Sequence, residues 1–169
     1  MQYMSRYASP LGDILLCADD AGLTGLEFTD RLRSVPDPAQ EADAPVLREA
    51  AAWLDAYFSG RVPDFTPPLH LVGSPFQLAV WQMLPEIPYG RVVSYGALAR
   101  ALAARTGKAR MAAQAVGGAV GRNPVSLIVP CHRVIGADGS LTGYGGGLDR
   151  KRALLALEKA DTRSFFLLK

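Results

Sequence analysis

The stretch SYGALARALAARTGKARMAAQAVGGAVG, from Ser94 to Gly121, predicts two helices joined by a short turn. Ser94 is a favoured N-cap residue, and the alanine-rich run after it ends at Gly107, a residue type that often terminates helices. A second helix is predicted over MAAQAVGGAVG, residues 111–121. Two helices separated by a short glycine-containing turn are typical of a helix-turn-helix, a motif that binds DNA.

The second of these helices has an unusual face. Its residues at spacing i, i+3, i+4 and i+7 are Gln114, Gly117, Gly118 and Gly121. Each interior glycine costs about 0.8 to 1 kcal/mol relative to alanine, so the stripe indicates that something bulky approaches the backbone. Packing against a neighbouring helix, close approach of DNA, and an early end of the helix near Gly117 all explain it. Arg110 and Arg122 bracket the segment and can reach phosphates, which favours DNA.

Charge is divided unevenly along the chain. The proline-rich stretch VPDFTPPLHLVG, residues 62–73, indicates a boundary. Residues 1–73 carry 5 basic and 11 acidic side chains (net −6), whereas residues 74–169 carry 13 and 5 (net +8). The basic half is therefore the one expected to face a polyanion. We predict an N-terminal scaffold domain, residues 1–73, and a C-terminal DNA-binding domain, residues 74–169.

Local patterns outside this motif predict a mixed fold. Three short strands separated by turn residues are expected at residues 2–8, 13–19 and 23–29. A polar, proline-containing connector (residues 31–45) leads to a helix over 45–60, and SPFQLAVWQML begins another helix with a Ser74–Gln77 capping box. The predicted class is α/β of the α+β type. A small antiparallel sheet with a helix precedes a mostly helical domain that holds the helix-turn-helix and a short active-site strand or hairpin.

Composition narrows the setting. No apolar run approaches the roughly 18 to 20 residues that span a bilayer, and the first ten residues lack the apolar block of a signal peptide. We therefore expect a cytoplasmic monomer with no membrane partner and with both cysteines, Cys17 and Cys131, as thiols. Cys17 lies in a strand pattern and is expected to be inert. No paired C-x-x-C spacing is present, so no metal and no other cofactor is predicted.

The stretch VSLIVPCHRVIG, residues 125–136, poses a chemical question. VSLIV predicts a buried strand that Pro130 ends, which puts Cys131 on a rigid support. Neighbouring side chains on a strand face opposite ways, so activation of Cys131 by His132 requires a turn here or a bridging water. A neighbouring base would raise the fraction of thiolate, the nucleophilic species. The alternative is an inert buried thiol beside a polar residue.

A third group extends this pair. The C-terminal helix LDRKRALLALEKA, residues 148–160, places Glu158 near its apolar face, at i+4 from Leu154. A carboxylate near a core needs a partner, and His132 is the only histidine in this half of the chain. Cys131, His132 and Glu158 are thus candidates for nucleophile, base and orienting acid. A solvated Glu158 at the helix edge is the alternative.

Four stretches resemble one family, the O6-alkylguanine-DNA alkyltransferases. They are IPYGRVVSYGALA, AVGGAVGRNP, VPCHRVIG and LTGYGGGLDRKRALLALE, and the resemblance covers residues 74–160 closely and the first half more weakly. It implies that double-stranded DNA containing O6-alkylguanine is the partner, with O4-alkylthymine as a further candidate. A flipped base would give its alkyl group to Cys131 in a single, irreversible turnover.

The resemblance also implies roles for individual residues. Asn123 would support the turn before the active site, and Tyr95 would donate toward guanine N3. The implied catalytic residues are Cys131, His132, Glu158, Asn123 and Tyr95. The implied substrate-binding residues are Tyr144, Val134, Gly145, Lys151 and Ser94. The implied DNA-binding residues are Gln114, Arg110, Arg122, Ala115, Gly118 and Arg133.

One position departs from the family pattern. Gln114 stands where the family has an intercalating arginine, so extrusion of the base is the step affected. We hypothesise that Gln114 fills the gap by hydrogen bonding and that Arg110 supplies charge. Three other functions compete: a DNA-binding module without enzyme activity, a turnover cysteine hydrolase, and an alkyl acceptor that prefers free alkylguanine or small DNA lesions.

Overall fold

The computed structural model describes residues 1–32, 40–41 and 43–169. The chain forms two compact units: Met1–Val72 with Pro124–Ile128, and Gly73–Asn123 with Val129–Lys169. Much of the connector predicted at residues 31–45 lies outside the described residues. No helix within the described part of the chain has the length and apolar character needed to cross a membrane.

The first unit is built on a small sheet. Its strands are β1 (Tyr3–Ser9), β2 (Gly12–Ala18), β3 (Leu23–Phe28) and β4 (Gln40–Glu41), in the order β3-β2-β1-β4. The first three pair antiparallel, which confirms the predicted strands, and β4 pairs parallel with β1. The short β4 was not predicted, because two residues carry no periodic signal.

The helix predicted over residues 45–60 is present and packs on this sheet. Helix α1 (Pro45–Phe58) buries Leu47, Ala50, Trp53, Leu54 and Tyr57 at helical spacing. The Trp53 and Tyr57 rings stack with centroids 5.2 Å apart. The helix ends at Ser59, and Gly60 follows with a φ of 85°, a conformation that glycine adopts without strain. Helix α1 thus shields one face of the sheet from solvent.

The prediction of a strand over residues 125–129 is wrong. Val125 makes only an isolated bridge with Leu26, whose carbonyl also accepts from the amide of Ser126 at 3.0 Å. The chain then turns, and Leu127 has a φ of 72°. All five residues are buried. The apolar run therefore indicates burial correctly, but a turn achieves that burial, and periodicity alone does not distinguish the two.

The second unit is mostly helical. Its helices are α2 (Pro75–Met83), α3 (Tyr95–Arg105), α4 (Ala113–Gly121) and α5 (Leu148–Leu157). The predicted capping box is confirmed: the Gln77 amide donates to Ser74 Oγ at 3.1 Å and the Ser74 amide to Gln77 Oε1 at 3.0 Å. Two short strands, β5 (Val93–Ser94) and β6 (Val134–Ile135), pair parallel. Strand β5 leads into α3 and β6 follows the Cys131 turn, so this pairing supports both.

Helices α3 and α4 form the predicted helix pair. Thr106 Oγ1 donates to the Leu102 carbonyl at 2.8 Å, and Gly107 follows with a φ of 70°. Helix α4 begins at Ala113, two residues later than predicted, because the backbone of its N-cap residue Ala112 is extended. From α2, Trp81 Nε1 donates to the Ala119 carbonyl at 2.8 Å, which fixes one side of α4.

Candidate active site

Cys131 begins a single turn of 3-10 helix, Cys131–Arg133. Its amide donates to the Val129 carbonyl at 2.8 Å, and the Arg133 amide donates to the Pro130 carbonyl at 3.1 Å. The turn that activation requires is therefore present. Successive side chains of a 3-10 turn lie about 120° apart rather than opposite, so Cys131 and His132 need not face opposite sides. Cys131 is buried, with 5% of its surface exposed.

His132 and Glu158 form a buried pair. His132 Nε2 lies 2.5 Å from Glu158 Oε2, and neither side chain is exposed. Burial lowers the pKa of His132, an effect that the hydrogen bond to Glu158 opposes only in part. The imidazole is therefore neutral near pH 7. A neutral imidazole that donates from Nε2 carries its lone pair on Nδ1, which is then the nitrogen able to accept a proton.

Glu158 is surrounded by donors rather than by water. It is the C-cap residue of α5 but only 4% exposed, so the alternative of a solvated helix-edge carboxylate is wrong. Oε1 accepts from Arg133 Nε and from the Gly90 amide, both at 2.9 Å, and Arg133 Nη2 lies 3.3 Å from Oε2. Burial alone would raise the pKa of Glu158, but His132 and Arg133 together hold it below its ordinary value. The carboxylate is ionised.

Arg133 is an interior residue, so its predicted place on the DNA-binding surface is wrong. Its side chain is 9% exposed, and Nη1 donates to the Ile87 carbonyl at 2.8 Å. Its guanidinium lies 5.7 Å from the centre of the Tyr89 ring. An arginine after Cys and His in a basic domain suggests a phosphate contact, but a buried carboxylate needs a permanent cation.

Lys151 and Tyr95 hold the glycine-rich loop before α5. Fully buried Lys151 donates from Nζ to the carbonyls of Val134 at 2.6 Å and Thr142 at 3.0 Å. The Tyr95 hydroxyl lies 2.8 Å from the Thr142 carbonyl and 3.1 Å from that of Gly143. Burial lowers the pKa of Lys151 to about 8 and raises that of Tyr95 to about 12. Tyr95 thus remains a hydrogen-bond donor at neutral pH.

Of the other predicted substrate residues, three can reach a ligand and the fourth, Ser94, cannot. The half-buried Tyr144 ring lies edge-on to His132, with centroids 6.5 Å apart, and Gly145 beside it is exposed. The Val134 carbonyl already accepts from Lys151, which leaves one lone pair for a ligand. Ser94 is buried, and its Oγ accepts from the Ala97 amide at 3.0 Å. Ser94 is therefore a helix cap rather than a residue open to substrate.

Asn123 lies just before the segment that leads to the thiol. It is 3% exposed, and Nδ2 donates to the Val129 carbonyl at 2.7 Å. This bond joins the two residues that flank the segment 124–128. The same carbonyl accepts from the Cys131 amide, so Asn123 is linked to the Cys131 turn through a single oxygen atom.

One face of α4 is open. Gln114, Ala115 and Gly118 are exposed, as are Arg110 and Arg122. A Cβ added to Gly118 or Gly121 would meet no atom of the described residues within 4 Å, whereas one on Gly117 would lie 3.5 Å from the Tyr95 ring. A separation of 3.5 Å is an ordinary van der Waals contact, so packing within the described residues requires glycine at none of these three positions. The helix continues to Gly121, so the prediction of an early end is wrong, and the exposed part of the stripe is available for a ligand.

Comparison with known proteins identifies the family. Two family models match the chain: the ribonuclease-like domain of 6-O-methylguanine DNA methyltransferase over residues 2–71, and the DNA binding domain of the same protein over residues 75–160. The chain belongs to the 6-O-methylguanine DNA methyltransferase family. The resemblance read from the sequence is thereby confirmed.

Individual members of the methyltransferase family match over most of their length. The methylated-DNA–protein-cysteine methyltransferase of Haemophilus influenzae is 43% identical over 93% of this chain and 86% of its own. That of Methanosarcina barkeri is 44% identical over 95% and 99%. A crystal structure of Mycobacterium tuberculosis OGT in complex with DNA matches with a TM-score of 0.80 and 44% identity, over 93% of this chain and 92% of its own. The fold class is that of these methyltransferases.

Lys151 gives this methyltransferase a predictable response to alkaline pH. Its pKa is about 8 in the folded protein against an ordinary 10.5, so between these values the unfolded chain binds more protons. The free energy of unfolding should then rise with pH, by at most about 1.4 kcal/mol per unit for this group. In Lys151→Met this contribution disappears. Urea unfolding at intervals from pH 7.5 to 10.5 measures it.

The control is Lys108→Met, which replaces an exposed lysine. Its stability should follow that of the parent protein across the same range of pH. Parallel curves for the parent and for Lys151→Met would contradict the prediction, because they would mean that Lys151 binds its proton equally in both states.

Proposed function

We propose that this protein repairs alkylated DNA by moving the alkyl group of O6-alkylguanine onto Cys131. The observation that carries the proposal is the Cys131 turn beside the buried His132–Glu158 pair, in a chain of the methyltransferase family. The Cys131 thiolate attacks the alkyl carbon, so a C–S bond forms as the bond from that carbon to O6 breaks. The guanine leaves with the electron pair. The thioether is stable, so one protein repairs one lesion.

The proton path follows from the buried contacts. The thiol proton passes to His132 at Nδ1, directly or through a water, and the imidazolium that forms is stabilised by ionised Glu158. Arg133 acts through Glu158 by keeping that carboxylate ionised and aimed at Nε2. The positive charge that forms on His132 during deprotonation of Cys131 is therefore paired with the carboxylate of Glu158.

Negative charge that develops on the departing guanine also needs a donor. The Tyr95 hydroxyl would turn from the carbonyls of Thr142 and Gly143 toward guanine N3. Lys151 keeps its own bond to the Thr142 carbonyl during this change, so the loop stays in place. Tyr144 and Gly145 in the same loop would border the alkyl group.

The open face of α4 is the proposed DNA contact. Ala115 and Gly118 have small side chains that allow close approach to the minor groove, and Arg110 and Arg122 would reach phosphates. Gln114 would fill the gap left by the flipped base, whose extrusion costs a few kcal/mol. The DNA complex of the 44% identical Mycobacterium tuberculosis protein supports DNA as the partner.

The proposal includes the setting and organisation of the protein. Residues 1–73 would serve as scaffold and residues 74–169 would bind DNA and accept the alkyl group. Cys17 and Cys131 are both thiols rather than a disulfide, which suits a reducing cytoplasm. A monomer without metal or other cofactor is sufficient, since nucleophile, base and donors all come from one chain.

The test is the intact mass of the protein after incubation with a duplex that contains one O6-methylguanine. A gain of about 14 Da on Cys131, limited to one per protein, is expected because the thiolate is the nucleophile. Peptide mapping locates the adduct. Cys131→Ala should gain no mass, and Cys17→Ala, which removes the other thiol, should react as the parent does.

Other outcomes identify the competing functions. Lesion-selective binding without an adduct would indicate a recognition module. Release of methanol over many turnovers, with the thiol regenerated, would indicate a hydrolase. An adduct formed with free O6-methylguanine but not with the duplex would indicate that Gln114 fails to support extrusion of the base.

A further inference from the structure

A basic groove lies between the second half of α3 and the turn that leads to α4. Its lining residues are Arg100, Ala103 and Ala104 of α3 and Lys108, Ala109, Arg110, Met111 and Ala112 of the turn. Three of these eight residues are cationic and none is acidic. The others are alanines and one methionine, so the lining offers no competing carboxylate.

Backbone hydrogen bonds in the turn fix the position of Lys108, the first cation after α3. The Lys108 amide donates to the Ala103 carbonyl at 2.9 Å, and Gly107 supplies the left-handed residue that such a helix end requires. Lys108 is therefore attached firmly to the end of α3. Arg110, two residues further along the turn, also lines the groove.

Arg100 extends the positive surface along α3. Its Nη1 atom lies 3.3 Å from the position that a Cβ on Gly96 would occupy, so the guanidinium reaches back one helical turn over Gly96. The absence of a side chain at Gly96 gives it that space. The three cations therefore run from the first turn of α3 to the residues just before α4.

We infer that this basic groove binds the sugar-phosphate backbone of a DNA strand, as a contact separate from the face of α4. The inference rests on the proposed function. Like charges held in one groove repel one another, and a polyanion relieves that repulsion. Lys108 offers a point charge and Arg100 a planar fork, both suited to phosphate oxygens. Arg110, beside the N-terminus of α4, makes the groove continuous with the proposed minor-groove contact.

The salt dependence of DNA binding tests the inference. Fluorescence anisotropy with an undamaged duplex is measured over a range of salt concentrations for the parent and for the double variant Arg100→Gln/Lys108→Gln. Removing one phosphate-binding cation should reduce the slope of log Kobs against log[salt] by about 0.9, so a decrease of about 1.8 is expected for the pair. Affinity at low salt should fall about tenfold or more.

A matched variant separates local contact from net charge. Arg152→Gln/Arg163→Gln removes the same two charges from exposed positions of the same unit outside the groove. Its slope should stay close to that of the parent. Equal slopes for the two double variants would overturn the inference. So would an effect of the groove variant on self-association alone, seen by sedimentation without DNA, since the groove would then bind a second copy.

Adduct formation by the parent protein distinguishes failure of this inference from failure of the proposed function. A methyl adduct on Cys131 together with an unchanged slope in the groove variant would overturn only the groove contact. A reduced slope without any adduct on the parent would support the groove contact while contradicting alkyl transfer.

Discussion

Glu158→Gln should slow methyl transfer to Cys131 by about 100-fold or more, because it removes the charge that supports His132 as a base. Each carboxylate oxygen accepts from two donors: Oε1 from Arg133 and Gly90, and Oε2 from His132 and Arg133. An amide must place its NH2 group at one of these positions, against two N–H donors. Of these donors only His132 can become an acceptor, so the NH2 group should take the Oε2 position. His132 is then driven toward the tautomer with its proton on Nδ1, which cannot accept the thiol proton.

The same substitution should lower the free energy of unfolding by about 3 to 5 kcal/mol, since Arg133 becomes a buried charge without its carboxylate. Single-turnover transfer rates and urea unfolding measure the two effects. Glu86→Gln is the control, because Glu86 also accepts two bonds from an arginine, Arg105, but at a partly exposed site. That variant should lose about 1 kcal/mol at most and keep its transfer rate. A Glu158→Gln protein that is less stable but reacts at the parental rate would restrict Glu158 to a structural role.

Arg133→Met should also lower the free energy of unfolding by about 3 to 5 kcal/mol. It leaves Glu158 ionised and buried without its cation, and it removes the donor to the Ile87 carbonyl. Urea unfolding at neutral pH measures the loss. Arg152→Met, at an exposed position, is the control and should stay within about 0.5 kcal/mol of the parent. Equal losses in the two variants would contradict the prediction.

Two further measurements show that the cause is the charge pair. Adding Glu158→Leu to Arg133→Met should recover part of the stability, because no unpaired charge then remains in the interior.

The second measurement is the loss of stability at acid pH. The lowered pKa of Glu158 contributes stability that is complete above the ordinary value of 4.5 and is lost as the pH falls below it. Arg133→Met raises that pKa, so the variant should lose less stability than the parent on acidification.

Features that depend on neighbouring residues were predictable from the sequence. The Ser74 capping box, the three strands and the two helices of the α3–α4 pair all follow from spacing within about ten residues. The approach of Glu158 to His132 was one of two outcomes that the sequence allowed, because His132 is the only histidine in this half of the chain. The helix pattern by itself did not exclude a solvated carboxylate.

Features decided by distant contacts were not predictable. Whether Arg133 faces DNA or the interior depends on Ile87 and Glu158, which lie 46 and 25 residues away in the chain. The turn at Leu127 likewise depends on Leu26, whose backbone receives the segment. Propensity describes what a segment can form alone, and packing against remote parts of the chain overrides it.

The excursion of residues 124–128 has a consequence for how the molecule can be divided. Five residues that follow the helix pair and precede the thiol belong to the compact unit formed by Met1–Val72. A gene cut at the apparent linker near residue 73 would therefore separate Val125 and Leu127 from the core that buries them. The segment that leads to Cys131 therefore has its packing partners only when both halves of the chain are present.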